Sequence, residues 1–146
     1  MLTIGYIGNG KSTNRYHLPF VIQRKNIRVK TIYQRNPKNE AWDRIDGINY
    51  TSNLDELLRD EDIQLIVVCT RQDSHYNYAK LVLENNKHCL VEKPFMETFD
   101  EAKEIFDLAK SKNLIVQAYQ NRRFDSDFLT VQKVIEEGKL GELLEL

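Results

Sequence analysis

Residues 63–70 read IQLIVVCT, a run that is apolar at almost every position. A strand with one wet face alternates apolar and polar side chains. A continuous apolar run instead suits a strand covered on both faces, as in a parallel sheet between helices. The rest of the chain repeats that unit. Further strands are expected at 2–7, 27–34, 47–51, 88–92 and 114–119. Between them lie amphipathic segments. A helix is expected over 11–24, broken at Pro19, and a weak helical turn over 36–42. Asn53 caps a helix over 54–59, and Asp73 or Ser74 caps one running to about residue 86. Thr98 caps a long helix to about residue 112, with Ala102, Ile105, Phe106 and Ala109 on its inner face. A last helix over 126–137 would turn Phe128, Val131, Val134 and Ile135 inward. Strand and helix alternating this often predict an α/β fold: a doubly wound parallel sheet of six or so strands with helices on both faces.

Composition narrows the function. A chain of 146 residues is one domain's worth and can bury a full core. Lys plus Arg number 21 and Asp plus Glu 22, a net charge of −1, so the basic footprint of a nucleic-acid binder is missing. No apolar run approaches the ~18 residues of a membrane span, and the N-terminus has no signal-peptide pattern. Cys69 and Cys89 each end an apolar run and read as buried thiols in a reducing cytoplasm. After Gly138 the sequence reads KLGELLEL, with Gly141 as a turn before a new strand over 142–146. The expectation is a longer protein. Residues 1–121 would form the first domain, and 122–146 a linking helix and the start of a second domain that is missing here.

The first strand runs into Gly8-Asn9-Gly10-Lys11-Ser12-Thr13, which matches two patterns. From Gly5 to Ser12 it satisfies G-x-x-x-x-G-K-S, the phosphate loop of nucleotide hydrolases. From Gly8 it begins the dinucleotide fingerprint G-x-G-x-x-G/A, although Thr13 stands where a third small residue belongs. Too little chain precedes Gly5 for a completed strand, and no acid for magnesium follows LIVVCT. The dinucleotide reading is therefore preferred, with the pyrophosphate at the N-terminus of the next helix. A glycine turn without a ligand is the plain alternative.

About twenty residues beyond these glycines, an NAD site places an acid for the ribose hydroxyls. This chain has Gln34 and then Arg35, with Lys38 close behind. Arg35 could pair with a 2′-phosphate, which favours NADP with NAD as the alternative. Glu92-Lys93-Pro94 ends the fifth strand, at the sheet edge where open α/β sheets bind ligands. A lysine there could give or take a proton. A surface lysine paired with Glu92 is the competing reading. His17 and His88 are read as structural, and no His/Cys/Asp spacing suggests a metal.

Together the pieces IGYIGNG…HLP at 4–19, CTRQDSHYNYA at 69–79, EKP at 92–94, AYQNRRFD at 118–125 and EEGKLGE at 136–142 resemble the N-terminal domain of the Gfo/Idh/MocA oxidoreductases (glucose–fructose oxidoreductase, inositol dehydrogenase and relatives). The resemblance covers essentially the whole chain and implies a Rossmann fold. It implies that Gly8, Asn9, Gly10, Lys11, Ser12 and Thr13 hold the pyrophosphate, and that Gln34 and Arg35 meet the adenosine ribose. Thr70, Arg71 and His75 would line the dinucleotide wall. Glu92 would contact the cofactor, and Lys93 would be the catalytic lysine in a turn where a cis proline is plausible. Gln120 would lie near the nicotinamide, with Asn121 and Arg122 on the substrate side. The reaction would be hydride transfer between a sugar, polyol or similar alcohol and the nicotinamide. The family's substrate domain, an antiparallel sheet with a helix carrying an Asp and a His, is absent. This chain is therefore expected to bind dinucleotide without turnover, and the longer protein to form a homo-oligomer through the missing part. A non-catalytic dinucleotide sensor or scaffold would use the same fold without Lys93 chemistry.

Overall fold

The computed structural model describes residues 1–36, 42–143 and 145. Six strands form one wholly parallel sheet: β1 (Leu2–Ile7), β2 (Ile27–Tyr33), β3 (Asn49–Thr51), β4 (Leu65–Val68), β5 (His88–Val91) and β6 (Val116–Ala118). Their spatial order is β3-β2-β1-β4-β5-β6. The chain reverses its direction of travel between β1 and β4, and a crevice opens at the carboxyl ends of those strands. The doubly wound Rossmann-type sheet expected from the sequence is present. The helices are α1 (Leu18–Val21), α2 (Leu54–Leu58), α3 (His75–Glu84), α4 (Phe99–Ser111) and α5 (Ser126–Glu136). No described helix is long and apolar enough to cross a membrane.

The run LIVV behaves as its composition demands, with Ile66, Val67 and Val68 buried on alternate faces of β4. One face packs Ile7, Ile66, Val68 and Val91 against Leu57, Leu58, Ala79, Leu83 and Ile105 of α2, α3 and α4. The other packs Ile4, Tyr6, Val29, Ile32 and Val67 with Leu18 of α1. Gly5 lies inside β1, and a Cβ there would come within 2.3 Å of the Leu57 side chain. This rules out the phosphate-loop reading, in which Gly5 would open the loop.

Several local expectations hold. Asn53 accepts from the Asp55 amide at 3.1 Å. Thr98 accepts from the Glu101 amide at 3.2 Å, and the Glu101 carboxylate accepts from the Thr98 amide, a reciprocal capping box. Thr98→Ala is expected to cost about 1 kcal/mol in urea unfolding with little effect on ligand binding, because α4 packs away from the crevice.

Others are corrected. Pro19 does not break a helix; it stands in the first turn of α1, where a missing N–H costs nothing. Ser74 sits at the cap of α3, but its hydroxyl lies 2.8 Å from Arg71 O and 2.9 Å from Thr70 Oγ1 instead of capping. Phe106 is half exposed against Phe95, so only Ile105 and Ala109 form the fully buried side of α4. No residue of α5 is fully buried; Phe128 and Val131 are about half exposed, and Val134 and Ile135 are partly covered. Periodicity identifies an apolar face but not what covers it. The turn expected over 36–42 falls mostly on residues 37–41, outside the described residues, as does Lys38. In the strand expected over 142–146, Glu142, Leu143 and Glu145 are not in a strand, and Leu144 and Leu146 lie outside the described residues.

Candidate functional site

The site begins where β1 stops. Gly8 has φ +110°, and a Cβ there would lie 2.4 Å from the carbonyl oxygen of Cys69, just past the end of neighbouring β4. Only glycine lets the two strand ends approach this closely. The chain then enters a wide π-helical turn, Ser12–His17, in which the Leu18 amide reaches back to Thr13 O. Thr13, where the fingerprint calls for glycine or alanine, lies in this turn. The side chain is fully buried, and its hydroxyl donates to Gly8 O at 2.6 Å. The Asn14 amide bonds to Gly10 O at 3.1 Å. The amides just before it are the ones a helix start leaves for an anion.

A pocket of about 660 Å³ lies over this loop, between the carboxyl ends of β1, β2 and β4. Gly8, Asn9, Gln34, Arg35, Thr70 and Arg71, all expected from the sequence, line it. Gln34 is not simply free for a ribose. Asn9 Nδ2 donates to Gln34 Oε1 at 2.8 Å, and Asn14 Nδ2 donates to Asn9 Oδ1 at 2.9 Å. Arg35 and Arg71 are exposed at the rim, with Arg71 3.7 Å from Asp73. Sequence reasoning missed Tyr33 and Tyr78, whose rings meet edge-on at 6.4 Å beside the pocket. Tyr33 ends β2 directly before Gln34, which was the available signal.

Past β5 the backbone turns at Lys93–Pro94 through a cis bond, and Lys93 is exposed. Glu92 is buried and bonds to the chain itself. One oxygen accepts from His17 Nε2 at 2.9 Å and the other from the Lys93 amide at 3.0 Å. Burial pushes this carboxyl up, but the bonds from His17, the Lys93 amide and Ser12 outweigh it and hold it below the usual range. Glu92 therefore holds the Lys93 turn through one oxygen and His17 through the other. The lysine–glutamate pairing weighed from the sequence is made by the Lys93 amide, not its ammonium. His75, expected to line the wall, is 1% exposed, with both ring nitrogens against backbone carbonyls.

Other predicted residues lie outside the main pocket, and Gly10, Lys11, Ser12 and Thr13 of the glycine loop do not line it. Asn121 and Arg122 border a separate, largely apolar groove of about 430 Å³ over β1, β4 and β5, and Arg122 pairs with Asp125 at 2.6 Å. Gln120 precedes them in the turn leaving β6 and is not among the residues lining the main pocket. Lys11 is exposed at the start of the π-helical turn. The structure also gathers His17, Cys69 and Glu92, whose ligand-type atoms lie within 4.8 Å of one another. No sequence spacing could reveal this set, because each residue comes from a different element. His17 and Glu92 already bond to each other, and burial pushes the Cys69 thiol up to about 12. By these contacts it is a hydrogen-bonded core layer beneath the glycine loop.

Residues 2–120 match the GFO_IDH_MocA family pattern, described as an oxidoreductase family with an NAD-binding Rossmann fold. The chain is 55% identical to the uncharacterized oxidoreductase YhhX of Escherichia coli (strain K12), over all of this chain and 43% of the relative. It is 29% identical to scyllo-inositol 2-dehydrogenase (NADP(+)) IolW of Bacillus subtilis (strain 168), over 97% of this chain and 41% of that protein. A crystal structure of the probable oxidoreductase yhhX superposes with a TM-score of 0.91 at 56% identity, covering 97% of this chain and 42% of that one. The chain thus spans less than half the length of the relatives it matches.

Proposed function

This chain belongs to the Gfo/Idh/MocA family of oxidoreductases, and from that premise we propose that it is the cofactor-binding part of an NADP-dependent oxidoreductase acting on a sugar, polyol or related alcohol. The observation that carries the reading is the placement on one sheet edge of three things: the Gly8–Gly10 loop, a pocket rimmed by Arg35, and the Lys93 turn. A dinucleotide fits these residues. Gly8 leaves the space a Cβ would fill, and the Ser12–His17 turn starts just past the loop, where a helix start leaves its first amides for an anion. The chemistry a nicotinamide supplies there is hydride transfer. The chain's own part is to bind and to move a proton. Amides of residues 10–13 would hold the pyrophosphate, Gln34 would face the ribose, and Arg35 would pair with the 2′-phosphate. Lys93 Nζ would take the proton from the substrate hydroxyl, or return it in the reverse direction. The NADP named for IolW agrees with this preference.

The proposal divides the chain at residue 121. Residues 1–121 bind the dinucleotide, and 122–146 lead into the substrate domain of a longer, cytoplasmic, self-associating protein. These 146 residues alone would bind cofactor without turnover.

Calorimetric titration with NADP, NAD and ATP–magnesium tests the reading. NADP is expected to bind more tightly than NAD. Binding of ATP–magnesium alone would overturn it. Arg35→Ala is expected to weaken NADP by about tenfold, the worth of one charge-assisted hydrogen bond, while leaving NAD within about twofold. Equal losses for both dinucleotides would remove Arg35 from the 2′-phosphate site.

A further inference from the structure

The π-helical turn Ser12–His17 follows the glycine loop directly, and both of its end residues reach Glu92. In an α-helix, residues five apart point to different sides. A π-turn bonds residues five apart, here the Leu18 amide to Thr13 O, and so brings such residues onto one side. His17 Nε2 lies 2.9 Å from Glu92 Oε1, and both side chains are buried. The second oxygen of Glu92 accepts from the Lys93 amide at 3.0 Å. The backbone of Glu92 is anchored to the sheet, where its amide donates to Val68 O at 3.0 Å. Its carboxyl is held below the usual range, so at neutral pH it is ionised and only accepts. The hydrogen between the two side chains is therefore on His17 Nε2, and one ring N–H supplies it whatever the other nitrogen carries. The ring is packed in place, with Tyr119 against it at 4.3 Å and Tyr6 edge-on at 5.8 Å.

We infer that His17 is a positioning residue: from the end of the π-helical turn its Nε2–H fixes the Glu92 carboxylate, so that the second oxygen holds the Lys93 amide and sets the base of the lysine side chain. The consequence for turnover rests on the reading of Lys93 as the proton-handling group. His17, read from the sequence as structural, acts on the site through Glu92 without touching a ligand.

Two substitutions of similar shape separate the hydrogen bond from the packing. In His17→Gln the side-chain amide nitrogen falls near the position of Nε2 and keeps a donor for Glu92. His17→Met fills a similar volume and has no donor.

The first measurement needs no variant. Ring ¹⁵N spectra at neutral pH are expected to show a bonded hydrogen on Nε2 of His17. A bare Nε2 overturns the inference, whatever the chain binds. The second measurement is hydrogen exchange of single backbone amides, read by NMR. In His17→Met the Lys93 amide is expected to exchange about tenfold faster than in the parent, the change that follows the loss of one hydrogen bond. The Cys69 and Glu92 amides, bonded to Ile7 O and Val68 O within the sheet, should stay within about twofold. His17→Gln should keep the Lys93 amide within about twofold of the parent. An equal rise at all three amides, or no change at Lys93, would reduce His17 to a core residue and overturn the inference. In the longer protein, His17→Met should lower kcat by about tenfold with the KM for NADP within about twofold, and His17→Gln should restore the rate. Parental kcat in His17→Met, beside a Lys93→Met variant that has lost turnover, overturns the inference as well. If Lys93→Met itself turns over at the parental rate, the proposed function loses its proton-handling group, and exchange at the Lys93 amide still decides the positioning.

Discussion

Replacing Gly8 with alanine is expected to remove dinucleotide binding and to cost the fold about 2–4 kcal/mol. Two effects add. The residue sits at φ +110°, where an L side chain is strained. Its new methyl would also lie 2.4 Å from the Cys69 carbonyl oxygen and 2.9 Å from the Cys69 carbonyl carbon. Both are backbone atoms, so no side-chain rotation relieves the contact. Relief requires β1 and β4 to separate at their carboxyl ends, where the Cys69 amide bonds to Ile7 O at 2.8 Å and the pocket opens. The Thr13 hydroxyl would then lose Gly8 O. Urea unfolding reads the first loss, and calorimetry with NADP the second, expected to exceed a hundredfold. Gly10→Ala serves as the control, because a Cβ at Gly10 meets nothing within 4 Å. Its stability should stay within about 1 kcal/mol of the parent. If Gly8→Ala binds NADP as the parent does, the glycine loop is not the phosphate cradle.

Lys93→Met carries the second large effect. In the longer protein, turnover is expected to fall by about 10²–10⁴, the usual contribution of a positioned general acid or base. Dinucleotide affinity should stay within about twofold. The split is expected because the ammonium is exposed, whereas Glu92 and His75 hold the turn through the Lys93 amide and the Pro94 carbonyl. Steady-state rates on a panel of sugars and polyols read the first quantity, and calorimetry the second. A methionine variant that turns over at the parental rate would take Lys93 out of the chemistry and favour a binding or sensing role for the domain.

What could be read from the sequence divides along a physical line. Strands buried on both faces announce themselves in composition, so LIVV and the doubly wound sheet were legible. Caps are local, so Asn53 and Thr98 were legible as well. The glycine loop and Lys93 could be placed because both follow directly from strand ends. Partnerships across the fold were not legible. His17 and Glu92 are separated by 75 positions and meet only after β1 and β5 take their places. The π-helical turn that holds Thr13 was not legible either, because such a turn leaves no mark in sequence periodicity. The inward face assigned to α5 failed for a different reason: an amphipathic helix declares a need for cover without naming its source.

The chain of amides from Asn14 through Asn9 to Gln34 bears on attempts to re-engineer cofactor choice. The residue that a designer would first change to switch between dinucleotides is also the far end of a strut bracing the phosphate loop. A shorter or non-accepting side chain at position 34 alters ribose recognition and slackens the loop at once, and a gain in discrimination is offset by a loss in grip. Because the three side chains share bonds, their substitutions will not combine additively. Libraries aimed at this site should vary positions 9, 14 and 34 together and keep an acceptor opposite Asn9, as Gln34→Glu would.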